Sequence, residues 1–92
     1  MGNGVFAPIP IVQPLPPYTE EGREARIEGI VVLQAVVRKD GTVDSLKVLR
    51  GLGYGLDEAA ISTIATKWRF KPGTFQGQAV DVKATIEVSF RL

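Results

Sequence analysis

The 92-residue chain has no cysteine and no histidine. Without Cys there is no disulfide framework, thiolate nucleophile or zinc–thiolate site. Without His, the commonest general base and the commonest transition-metal ligand are both missing. Neither sign of charge is in excess: eleven Lys and Arg against ten Asp and Glu leave +1. That balance supplies no field to draw in nucleic acid or an anionic membrane. No apolar run reaches the roughly 18–20 residues of a membrane span, and the N-terminus lacks the charged-then-apolar order of a signal peptide. What remains, 45% hydrophobic and 23% charged residues, is the composition of a single small globular domain. A domain of this size buries only roughly 60–65% of its unfolded surface, so its core is modest.

Five of the six prolines (Pro8, Pro10, Pro14, Pro16 and Pro17) fall within the first seventeen residues. Proline lacks an amide donor and holds its predecessor extended, which predicts a polyproline-like arm over residues 1–17 ahead of a domain over 18–92. The arm also carries Val5, Phe6, Ile9, Ile11, Val12 and Leu15, so part of it is expected to lie on the domain surface. Residues 19–28 read as a short helix, with Thr19 as N-cap, Glu20 and Glu21 in the first turn and Gly29 as the left-handed stop. Gly22 weakens that helix by up to about 1 kcal/mol.

Residues 30–38 are apolar and β-branched at nearly every position, and Asp40-Gly41 separates them from a second strand-like run, residues 43–50. Asp-Gly between two such runs predicts an antiparallel hairpin, because Gly accepts positive φ. After Gly51, Gly53 and Gly55 the period changes. Leu56, Ala60, Ile64 and Trp68 recur every four residues, with Ile61 and Ala65 widening the stripe, which predicts a helix from Leu56 to Lys67. Turns are expected at Pro72-Gly73 and Gln76-Gly77. The last run is the cleanest: Val80, Val82, Ala84, Ile86, Val88 and Phe90 alternate with Asp81, Lys83, Thr85, Glu87 and Ser89. Strict period two over residues 80–90 predicts a strand with one face on a core and one in water. The economical fold is α+β in two layers, a three-stranded antiparallel sheet packed on two helices and preceded by the Pro-rich arm.

Several residues in this order resemble the C-terminal domain of TonB-family energy transducers. They are Gln13-Pro14, Tyr18, Arg26-Ile27-Glu28-Gly29, Asp40-Gly41, the Leu56-Asp57-Glu58-Ala59-Ala60 helix start, and Trp68-Arg69-Phe70-Lys71-Pro72-Gly73. Tyr18-Thr19 departs from the family's Tyr-Pro. The resemblance implies a periplasmic, non-catalytic domain without cofactors, at the end of an inner-membrane-anchored protein whose anchor is expected to lie outside this chain. Its implied partners are the TonB box peptide of outer-membrane transporters and, through that anchor, the ExbB–ExbD proton-driven complex. The peptide would add to the edge of the last strand, nominating Val80, Val82, Lys83, Ala84, Thr85, Ile86, Glu87 and Val88. By position in the motif, Gln13, Pro14 and Tyr18 are further contacts. An available strand edge also allows a homodimer by strand exchange. A scaffold role towards another envelope protein or the cell wall reuses the same fold.

Other readings are weaker on their own chemistry. Aromatics and bases interleave in 67–71, as in single-strand nucleic-acid binders. The charge is balanced, however, and the RNP-like pattern of an RNA-binding βαββαβ module is absent, so no nucleic-acid partner is expected. Gly51-Leu52-Gly53-Tyr54-Gly55 precedes a helix like a phosphate loop, but Glu58 stands where a third glycine belongs, and Asp57 and Glu58 would repel an anion. Ser45, Ser62 and Ser89 have no His to activate them, so an enzyme is not expected.

Overall fold

The structure, a computed structural model, describes residues 4–92; residues 1–3 of the predicted arm lie outside the described residues. The arm does not run free. It folds into two short strands, β1 (Val5–Phe6) and β2 (Ile9–Val12), each paired antiparallel with a segment that follows the second helix. After Pro16, which is buried, Thr19 accepts a hydrogen bond at Oγ1 from the Gly22 amide and caps α1 (Glu20–Glu24).

α1 is only half the predicted length. Arg26, at φ 55°, supplies the left-handed residue assigned to Gly29 from the sequence, and the Ile27 amide closes back on the Gly22 carbonyl. Gly22 is buried, and a Cβ there would sit 2.9 Å from Thr19 Oγ1 and 3.0 Å from Leu56. Its cost to the helix is the condition for docking α1 on the second helix.

The main sheet is built from β3 (Gly29–Val37), β4 (Val43–Arg50) and a last strand, β8 (Val82–Phe90), in the order β4-β3-β8. The β3–β4 turn is closed by the Arg38 amide on the Thr42 carbonyl at 2.8 Å, with Gly41 at φ 87°. α2 (Leu56–Lys67) lies across the inner face. Leu56, Ala60 and Ile64 are fully buried with Val31, Leu33, Ala35 and Val37, so the two-layer α+β fold is the one observed. The helix stripe differs from expectation at one side: Ala65 is exposed and Thr63 is buried instead. No helix among the described residues is long and apolar enough to cross a membrane.

Between α2 and β8 the chain forms β5 (Arg69–Lys71), β6 (Gly73–Phe75) and β7 (Gln78–Val80). Pro72-Gly73 is a break between two extended segments and not a reversal. The reversal is at Gln76-Gly77, with φ 52° and 80°, the pair of positive values that a tight hairpin demands. The predicted strand over 80–90 is therefore two elements. Val80 pairs with Gly73 in the small β1-β6-β7 sheet, while Asp81 leaves the ladder and accepts the Lys39 amide at 2.8 Å. A side-chain hydrogen bond from a flanking turn overrides the alternation there.

Candidate functional site

β8 has a neighbour on one side only. Its ladder with β3 runs without interruption from Gly29↔Phe90 to Val37↔Val82, and no strand among the described residues pairs with its other edge. The period-two pattern is realised along it. Val82, Ile86, Val88 and Phe90 are buried, Ala84 is half-buried, and Lys83, Thr85, Glu87 and Ser89 are exposed. No proline or bulge interrupts the strand, so its outer amides and carbonyls are available to another strand.

A second wall faces this edge. Pro8, Pro10 and Gln13 of the arm and residues 83–87 of β8 bound a slot of about 460 Å³. Further along, Gln13 and Leu15 lie beside Glu87–Ser89, and Leu15, Pro16 and Tyr18 beside Ser89–Arg91. The arm thus follows β8 in the same direction, with the slot between them.

The floor is aromatic. Trp68 and Phe70 line the slot with ring centroids 6.2 Å apart. Both are largely buried, at 5% and 9% exposure, and so cannot offer faces for stacking bases. Trp68 Nε1 donates to the Pro14 carbonyl at 3.0 Å, tying the arm to the floor. Phe70 is held from the other side, its amide donating to the Gly41 carbonyl at 2.9 Å. A Cβ on Gly41 would fall 2.3 Å from the Phe70 carbonyl oxygen, so only glycine lets the hairpin tip approach the floor this closely.

A family model describing the Gram-negative bacterial TonB protein C-terminal matches residues 14–92. The chain belongs to that family. It is also similar to the solution NMR structure of the Pseudomonas aeruginosa TonB CTD. The two share 26% identity over 92% of this chain and 86% of that one, with a TM-score of 0.70. None of the curated proteins compared with this chain matches it.

Within this TonB-type domain the nominated residues divide into three groups. Gln13, Lys83, Ala84, Thr85, Ile86 and Glu87 meet at the slot, and Val88 lies beside Gln13 and Glu87 at its end. Pro14 and Tyr18 hold the arm in place. Pro14 does so through its carbonyl. Tyr18 does so through its hydroxyl, which donates to the Ile27 carbonyl, and its ring, edge-on to Phe90 at 5.6 Å. Val82 is buried at the start of β8, and Val80 lies outside it in the small sheet. The sequence reading passed over the slot-lining role of Pro8, Pro10, Trp68 and Phe70. The usable signal was Trp68, since a buried indole N–H requires a partner.

The glycine loop before α2 is already occupied. Asp57 accepts the Leu52 amide at 2.9 Å and the Gly53 amide at 3.2 Å. Its carboxylate takes the donors that a phosphate would need, so the loop is a structural connection.

Proposed function

We propose that this is the periplasmic peptide-binding domain of a TonB-type energy transducer, gripping the TonB box of an outer-membrane transporter by strand addition to the free edge of β8. The supporting observation is an uninterrupted edge strand facing a second wall across a slot of about 460 Å³. Main-chain hydrogen bonds to β8 supply the affinity, and side-chain fit over Trp68 and Phe70 supplies selectivity. The work is mechanical and not catalytic: force from ExbB–ExbD arrives through the chain that leads into the arm, and the grip on the peptide transmits it. The Trp68–Pro14 hydrogen bond couples the two, because tension on the arm acts at the floor of the peptide slot. A second copy of the chain competes for the same edge, and a strand-exchanged dimer is the alternative occupant.

Titrating isotope-labelled protein with a TonB-box-like peptide tests the reading. Amide shifts are expected along 83–88 and at Gln13, with β4 unaffected. Shifts confined to another surface would overturn it.

A further inference from the structure

The slot has a charge at each end, and the two are of opposite sign. Lys83 and Glu87 both project on the exposed side of β8, with Thr85 between them, roughly 13 Å apart at 3.3–3.4 Å per residue. Across the ladder they face Val36 and Val32, which carry no charge. The one ion pair among the described residues is Arg38–Asp44, at the far edge of the sheet. Neither Lys83 nor Glu87 is in an ion pair among the described residues, although Arg50 and Arg91 share the hollow on the far side of Glu87.

A strand laid on the free edge presents its side chains on the same faces as the residues directly opposite. Positions opposite Ala84 and Ile86 face the Trp68–Phe70 floor and favour small or apolar side chains. Positions opposite Lys83 and Glu87 are four residues apart in the incoming segment, and each meets an unpaired charge. The arm wall adds no competing pattern at Pro8 and Pro10, which have no amide to donate. The arm wall lies along this edge from Lys83 to Arg91, and the two unpaired charges on it suit a single extended peptide.

We propose that the slot reads charge order: it selects a peptide with an acidic residue opposite Lys83 and a basic residue, four positions away, opposite Glu87. The peptide runs in one direction along β8, that of the arm wall, so exchanging its two charges sets like charge against like at both positions. This inference rests on the strand-addition reading above and adds a selectivity to it.

The experiment uses two labelled heptapeptides of identical composition, SEVTVKS and SKVTVES, titrated by fluorescence anisotropy at low salt and repeated with isotope-labelled protein. Exposed cross-strand pairs are individually weak, and exchanging the two peptide charges turns two attractions into two repulsions. The expected preference is therefore roughly tenfold. In the double variant Lys83→Glu with Glu87→Lys the preference inverts, and about 1 M salt erases it by screening. Equal affinities with amide shifts on 83–87 overturn the charge-order proposal and leave strand addition standing. A preference that survives the double reversal unchanged also overturns it. Absence of β8 shifts with either peptide overturns strand addition itself.

Discussion

The two edges of the main sheet are built to opposite rules. The β4 edge is irregular: its register with β3 shifts between Val32 and Leu33 and again between Gln34 and Val36, and Ser45 sits at φ 53°. Such irregularities bend and twist an edge so that it cannot template another strand. The β8 edge has nine residues in continuous register with β3, no bulge and no left-handed residue. It is flanked by the arm at slot distance and is not capped by it. A small sheet with two free edges risks self-association at both. Here one edge is disabled in its own backbone, and the other stays regular beside the arm.

The comparison breaks most severely at the floor of the slot. Trp68→Ala empties a buried site, with an expected loss of about 3–5 kcal/mol, and it also removes the only indole donor to the Pro14 carbonyl among the described residues. Denaturant melts should show that loss, and hydrogen exchange should show faster amide exchange along β1 and β2 than along β4. Trp68→Phe keeps an apolar ring and forfeits the hydrogen bond, for about 1 kcal/mol. It separates release of the arm from collapse of the core.

A smaller effect sharpens the contrast from the guarded side. Ser45 pays a steric cost for its left-handed backbone, and Ser45→Gly should stabilise the domain by about 0.5–1 kcal/mol, read as a higher denaturation midpoint. Peptide affinity should not change, since the substitution touches the edge that is not offered.

The smallest expected effect lies in the turn between guarded edge and floor. Thr42 donates to Asp40 Oδ1 from its hydroxyl at 2.6 Å and from its amide at 3.0 Å. These two bonds, the hydroxyl's first, hold the Asp40 carboxyl below its ordinary pKa. A lowered folded-state pKa stabilises the fold above the unfolded pKa, and that contribution disappears as pH falls through the folded value. Thr42→Val removes the hydroxyl bond, so its melting temperature should fall less than the parent's as pH is lowered from neutral into the acid range. An identical acid dependence in the two proteins would dismiss the Asp40 contribution.

The local chemistry of the chain was sufficient to locate most elements. The Asp40-Gly41 turn, the four-residue apolar recurrence from Leu56 and the alternation from Val82 to Phe90 each encode their structure within a few neighbouring residues. Sequence alone misplaced Val80, because the interruption at Asp81 comes from a hydrogen bond to Lys39, 42 positions away. It also overextended α1, where Arg26 adopts a left-handed conformation that nothing in its residue type announces.

The family, the two-layer fold and the candidate strand followed from residue order. Periodicity and turn chemistry are local, and they are written in the chain. Which edge of the sheet is regular, and that the Pro-rich arm lies along it, depend on contacts between residues far apart in sequence. Trp68 bonds to Pro14 across 54 positions, and Gly41 opens its Cβ space to the carbonyl of Phe70. An arm whose strands are paired with β5 and β6 can wall the slot without pairing with β8, and where that wall stands is a property of packing.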